Sequence, residues 1–371
     1  MHLVDITMFY AAQGGGITTY LNAKADHLAR QVGLDHTILS PNVNLPGLPV
    51  PGLHGYRFPH GVEASARAMA LLRPDLIEAG DASPCAWSAL RASRRLGVPS
   101  VAFYHSDLHS LMAEHCGAFA AACTARYLRR LYGQFDLVLA PSRVMQTHLG
   151  ELGVRSVALQ PLGVDCAVFS PRRRDHALRA RLGLPPSARL LVYAGRFTPQ
   201  KKLAVLARAV ERLGAPYHLL LVGCGAPPPP SPRMTVLPFE RDPRALASVL
   251  GGCDLLVHPG DQETFGLIAI EAMACGIPVL GTGGGVAELI DADCGLVVRP
   301  DSADSLCQGV AALFGADLAA LGASARRKAR LHHDWQRIMP QLLGRYAILL
   351  AARSHRPAAR QPQREQGLVR D

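Results

Sequence analysis

A chain of 371 residues has room for two or three domains with sizeable cores, and 49% apolar against 18% charged residues describes a globular, soluble protein. No run of about 18 apolar residues occurs, and Met1 to Thr7 leads straight into a strand pattern, so neither a transmembrane helix nor a signal peptide is expected and the cytoplasm is the predicted compartment. The net charge of +10 suggests anionic partners such as nucleotides, lipid head groups or nucleic acid, while nine cysteines without a C-x-x-C pair read as reduced core residues rather than a zinc site.

In chain order, apolar strand-like runs alternate with amphipathic helical stretches. "HLVDIT" precedes a helix after Gly16; "HTILS" follows; "DLIEA" precedes a helix from Ser83; "VAFYH", "DLVLAP" and "SVALQ" continue the pattern, with a further helix from Ser142. This is the βαβ rhythm of a parallel, doubly wound sheet. After the Pro- and Gly-punctuated stretch "PLGVDCAVFSPRRR" the rhythm restarts with "RLLVYAGR", a helix through Lys202 to Leu213, "HLLLVG", a helix from Asp242, "DLLVHP", "PVLGT" and "GLVV". Two Rossmann-like α/β domains are expected, residues 1–168 and 169–334. From Ala113 to Phe135, Leu128, Leu131, Tyr132 and Phe135 alternate with Arg126, Arg129 and Arg130 at helical spacing. Either a membrane-surface face or an ordinary helix packed on a sheet fits that pattern.

Ligands of open α/β sheets bind at the carboxyl ends of strands, so polar residues there carry the functional signal. Gly14, Gly15 and Gly16 follow the first strand and permit close backbone approach. His105 ends "SVAFYH" and is followed by Ser106 and Asp107. Arg196 ends a strand and Lys201 opens the next helix, a pair of cations suited to a diphosphate. In "DQETFGLIAIEAMACGIPVLGT", a buried helix is expected from Thr264 to Cys275, with the free N–H groups of Gly266, Leu267 and Ile268 suited to a phosphate. Glu263 and Glu271 are eight positions apart; on one helix that is roughly 12 Å along the axis and about 80° around it. Both could face one elongated ligand, or Glu263 could merely favour a helix start while Glu271 makes a structural ion pair. Asp291-Ala292-Asp293 is a D-x-D pattern in a loop and reads as a solvated turn, so no metal site is expected.

"AGRFTPQKK", "HPGDQETFGLIAIEAMACGIPVLGT", "GGGVAELIDADCGLVV" and "PLGVDCAVF" together resemble the signature blocks of the retaining GT-B-fold glycosyltransferases of family four, over nearly the whole chain. The resemblance implies two Rossmann-like domains facing a cleft, transfer of a sugar from a UDP- or GDP-sugar to an acceptor hydroxyl, and no metal or other cofactor. It implies that Arg196 and Lys201 bind the diphosphate, Glu271 the ribose and Glu263 a sugar hydroxyl, with His105 bonding the sugar. Gly15, Gly16, Phe265, Gly266, Leu267 and Ile268 would complete the donor site. It also implies a final helix, residues 335–352, crossing back to the first domain before a basic tail at 353–371. A lipid, glycolipid or saccharide acceptor is expected, with an anionic membrane surface as a further candidate partner and no nucleic acid. The family commonly has His-Asp where this chain has His105-Ser106-Asp107, a departure that bears on the acid's role. A dinucleotide-dependent oxidoreductase, which would need a G-x-G-x-x-G turn not found here, and a non-catalytic relative remain as alternatives.

Overall fold

The computed structural model describes residues 1–11, 14–50 and 55–354. The first domain holds β1 (His2–Ile6), α1 (Gly16–Leu28), β2 (Asp35–Leu39), β3 (Gly47–Pro49), β4 (Arg57–Pro59), α2 (Val62–Leu71), β5 (Leu76–Ala79), α3 (Pro84–Leu96), β6 (Ser100–Phe103), α4 (Leu108–Tyr132), β7 (Leu137–Ala140), α5 (Arg143–Glu151) and β8 (Val157–Leu159). Its sheet is parallel, in the order β2-β1-β5-β6-β7-β8, with β3 and β4 forming a separate antiparallel pair. The second domain begins with α6 (Leu178–Arg181) and β9 (Arg189–Phe197). It continues through α7 (Leu203–Leu213), β10 (Tyr217–Gly225), β11 (Met234–Pro238), α8 (Pro243–Gly252), β12 (Leu255–His258), α9 (Leu267–Ala274), β13 (Val279–Gly281), α10 (Gly284–Leu289), β14 (Gly295–Val297), α11 (Ala303–Phe314) and α12 (Leu318–His332). Its parallel sheet runs β11-β10-β9-β12-β13-β14, the doubly wound order in which the winding direction reverses between β9 and β12.

That reversal opens the crevice. β9 pairs with β10 at nine positions, from Arg189 to Phe197, but with β12 only at Leu191 and Val192. Beyond Val192 the two strands diverge, and the loops that follow them frame the gap. The reversal in the first sheet falls between β1 and β5, so the glycine turn after β1 faces a gap of the same kind.

The final helix, α13 (Trp335–Ser354), packs against α1 of the first domain. Its Tyr346 hydroxyl lies 2.8 Å from Lys24 Nζ and donates to Glu78; Lys24 in turn pairs with Asp5 at 2.9 Å and Glu78 at 3.3 Å. All four residues are buried. Ions in such a place persist only when paired and hydrogen-bonded, so this cluster ties the far end of the chain to β1 and β5. The two segments crossing between domains also bond each other: Val164 N–H donates to His333 O at 2.7 Å and Trp335 N–H to Val164 O at 3.1 Å. Trp335 lies so close to Gly163 that a Cβ there would sit 2.6 Å from its ring.

Several elements depart from the sequence expectations. Helices α2, α10, α11 and α12 and strands β3, β4 and β11 were not anticipated from the pattern. In the arginine-rich stretch Leu128, Leu131 and Tyr132 of α4, and Phe135 just beyond it, are buried, whereas Phe119 is exposed. The sheet has consumed the stripe that a membrane would have needed, so α4 is an ordinary amphipathic helix over this stretch. Gly117, at φ 79°, interrupts it.

Candidate functional site

A cavity of about 2040 Å³ lies between the domains. From the first domain it is lined by the glycine turn, Asp81, His105 and Asp107; from the second by Arg196, Lys201, Glu263, Phe265, Gly266, Leu267, Ile268 and Glu271. Every site residue expected from the sequence, Gly15 and Gly16 included, therefore borders one space.

Two helix starts converge there. α1 begins at Gly16 with Gly15 as its cap, and α9 begins at Leu267 with Gly266 as its cap; neither start carries a side-chain cap. Their N–H groups and positive dipole ends are open to an anion. Space is tight at Gly16 and excludes a side chain at Gly266. A Cβ on Gly16 would lie 3.1 Å from Leu267 Cδ1, across the domain boundary, and one on Gly266 would meet Val286 Cγ2 at 2.4 Å, in a backbone at φ 101° that side chains rarely adopt. Arg196 comes within 3.6 Å of where a Gly15 Cβ would stand. It is exposed and has no carboxylate partner among the described residues, so its charge is available to a ligand.

Lys201 differs. It ends a 3-10 turn, Pro199–Lys201, and its ammonium is hydrogen-bonded to Glu263. His258 Nε2 lies 3.1 Å from the same Glu263 oxygen. Burial works to raise the Glu263 pKa, but Lys201 and His258 outweigh it and hold the carboxylate well below its usual range. Lys201 and Glu263 thus form a charge-balanced unit at the cavity wall, not a bare cation beside a separate acid. Glu263 also lies outside α9, which starts three residues later than expected, so the single-helix estimate of its separation from Glu271 does not apply. Phe265 is buried and packs edge-on against His333, 5.8 Å between ring centroids.

Glu271 sits one turn into α9. It is half-buried and borders the cavity, and desolvation alone pushes its pKa up to about 7. Among the described residues no cation or hydrogen-bond donor meets it within bonding distance, which removes the structural ion-pair explanation. A carboxylate kept beside a cavity at such a cost fits a group that binds hydroxyl donors from a ligand.

His105 stacks on Phe103 with 4.0 Å between centroids and leans on Tyr20 at 4.9 Å. Burial lowers its pKa to about 3, so the ring is neutral near pH 7, and its Nε2 is buried without a partner. Its carbonyl accepts a hydrogen bond from Thr264 Oγ1 of the other domain at 2.9 Å. Asp107 is occupied: it caps α4 through Ser110 N–H at 3.1 Å and accepts the hydroxyls of Ser110 at 2.5 Å and Tyr104 at 2.8 Å. Asp107, His109 and His148 place ligand atoms within 4.8 Å of one another, the geometry nearest to a metal cluster among the described residues. Asp107 already accepts three hydrogen bonds and lies 3.4 Å from His148, an ion pair when that histidine is protonated. In the D-x-D loop, Asp291 pairs with Lys328 at 2.6 Å and accepts Asp293 N–H at 3.2 Å.

Sequence reading passed over His258 and Asp81. Asp81 is buried and accepts hydrogen bonds from Met8 N–H at 2.8 Å, Ser83 N–H at 2.8 Å and Thr7 Oγ1 at 2.5 Å, fixing the loop after β1. Both stand at or just past the carboxyl end of a parallel strand, the position that should have singled them out.

Residues 14–168 match the family described as Glycosyltransferase Family 4, and residues 188–315 match Glycosyl transferases group 1. A GDP-mannose-dependent alpha-mannosyltransferase of Mycolicibacterium smegmatis is 30% identical over 386 residues, covering 96% of this chain and all of that protein. The chain is a family-four glycosyltransferase. Another relative, the GDP-mannose-dependent alpha-(1-6)-phosphatidylinositol dimannoside mannosyltransferase of Mycobacterium tuberculosis, is 28% identical over 92% of the chain and 95% of that protein. Among solved structures, sucrose-phosphate synthase from Thermosynechococcus elongatus superposes with a TM-score of 0.78 at 22% identity, over 95% of this chain and 100% of that one. Anabaena HepE in complex with UDP and glucose gives 0.75 at 21% identity, over 94% and 100%. These likenesses establish the GT-B fold of the glycosyltransferase, and its family membership sets aside the oxidoreductase alternative.

Proposed function

We propose that this glycosyltransferase moves mannose from GDP-mannose to a hydroxyl of a lipid-linked or saccharide acceptor, with retained anomeric configuration and without a metal. The observation that carries the reading is the set of features bordering one cavity: a paired Lys201–Glu263 unit, the uncapped start of α9 with Arg196 beside the facing start of α1, and Glu271, unpartnered among the described residues. These match, in order, a sugar hydroxyl, a diphosphate and a ribose. The choice of guanine and mannose rests on the two relatives' names.

In this reading the donor diphosphate lies on the α9 N–H groups, Arg196 clamps it, and Lys201 shares its ammonium between Glu263 and the phosphate. The Glu263 carboxylate then accepts a hydroxyl of the sugar, and His105 Nε2 takes another. Charge developing on the departing diphosphate is stabilised in place, an effect worth about 3 to 4 kcal/mol per donor group. The bond from the anomeric carbon to the phosphate oxygen breaks while the acceptor oxygen bonds the same face, and the leaving phosphate oxygen takes the acceptor's proton. Atoms and charge balance without a protein nucleophile.

Among the described residues no single helix is long and apolar enough to cross a membrane. A peripheral site on the cytoplasmic face, held by exposed arginines, is part of the proposal; flotation with anionic and neutral vesicles tests it. The main test is a donor panel of GDP-mannose, UDP-glucose and ADP-glucose, with product configuration read by NMR. Turnover confined to a non-guanine donor, or an inverted product, overturns the corresponding part.

A further inference from the structure

Glu288, in α10 of the second domain, makes a contact that donor binding does not use. Its Oε2 accepts the Arg143 N–H at 2.9 Å and its Oε1 accepts the Val144 N–H at 2.5 Å, both at the start of α5 in the first domain. The next N–H of α5, that of Met145, goes to Ser142 Oγ at 3.2 Å, and that of Gln146 to Ser142 O at 2.9 Å. The opening turn of α5 is therefore capped partly by its own serine and partly by a carboxylate from the other domain, placed on the positive end of the helix dipole.

The contact stands beside the crossover. Pro161 and His333, one on each crossing segment, border the same small cavity of about 90 Å³ as Glu288. Next to it Val164 bonds both His333 and Trp335. Helix α10 also packs on the donor helix, where a Cβ on Gly266 would meet Val286 Cγ2 at 2.4 Å, so a change of domain angle at Glu288 moves the start of α9, where Leu267 approaches Gly16 of α1. Both charged hydrogen bonds depend on the domain angle, because their donors and acceptors belong to different domains.

We propose that Glu288 is a positioning residue: by capping α5 across the boundary it sets the angle at which the domains close and so assembles the donor site. The consequence for donor binding rests on the function proposed above; the domain angle does not. Wild type, Glu288→Ala and Glu288→Gln are compared by small-angle scattering without nucleotide, by calorimetric titration with GDP, and by thermal melting. The Ala variant is expected to show a larger radius of gyration without nucleotide and to bind GDP roughly tenfold more weakly, because the competent closed state is less populated. It should return to the wild-type radius at saturation. The Gln variant, whose amide oxygen still accepts an N–H, should fall between. A lowered melting temperature with unchanged radius and GDP affinity would show a merely structural cap and overturn the proposal. Should wild type bind no GDP, the donor reading fails, yet the nucleotide-free scattering still decides for Glu288 if the Ala variant is expanded and against it if the two curves coincide.

Discussion

Replacing Glu271 with Gln separates stability from binding. In the folded chain burial lifts the Glu271 pKa from 4.5 to about 7, which at about 1.4 kcal/mol per pH unit corresponds to at most about 3.5 kcal/mol, less for the part of the residue open to the cavity. The sign follows from proton binding. The folded state holds a proton on Glu271 that the unfolded state has released, so stability falls as pH rises between 4.5 and about 7 and stays low above that. Gln, of similar shape and uncharged, removes that penalty. Glu271→Gln is therefore expected to melt a few degrees higher than wild type at pH 8 and indistinguishably at pH 4.5. Its affinity for GDP should meanwhile drop roughly ten- to a hundredfold, since a charge-assisted hydrogen bond contributes about 1.5 to 3 kcal/mol. Calorimetric melting across this pH range, with GDP titrations of both proteins, measures each quantity. A variant that melts lower at pH 8 and binds GDP as wild type does would refute the reasoning.

Arg196→Ala should lose about two orders of magnitude in turnover with an unchanged melting temperature, because the guanidinium has no acidic partner among the described residues. Lys201→Ala should lose comparable turnover and stability as well, since it strips Glu263 of its main counter-charge; that stability is present above the unfolded carboxylate pKa and disappears as pH falls through the depressed one, so the two melting curves should converge in acid. Transfer should continue after exhaustive chelation with EDTA; loss that Mg²⁺ or Mn²⁺ restores would bring back a metal. Tyr346→Phe should destabilise the protein by about 1 to 3 kcal/mol in denaturant melts by leaving Lys24 and Glu78 each short of a buried partner.

Much of this protein is written locally. The alternation of apolar strands with helices specifies two parallel sheets, and a polar residue or glycine at a strand's carboxyl end marks the cleft, because the βα turn that follows must face the ligand side. That is why Gly16, His105, Arg196 and Glu263 were legible one by one, while Glu271 stood out as a carboxylate inside an apolar helix. What escaped the pattern was either short, as with β3, β4 and β11, or ambiguous in period: the spacing of Leu128, Leu131 and Tyr132 defines an apolar stripe but not whether a sheet or a membrane covers it. Only the tertiary structure decided which charges meet. Lys201 and Glu263 are 62 positions apart, Glu288 and Val144 are 144, and Lys24 and Tyr346 are 322. Whether a buried charge is paired depends on which side chains the fold brings within a few ångströms, and sequence spacing beyond a helical turn does not carry that distance. Hence the sequence could name Glu271 as a buried carboxylate in need of a partner, while only the packed cleft left it without a partner among the described residues and open to a ligand.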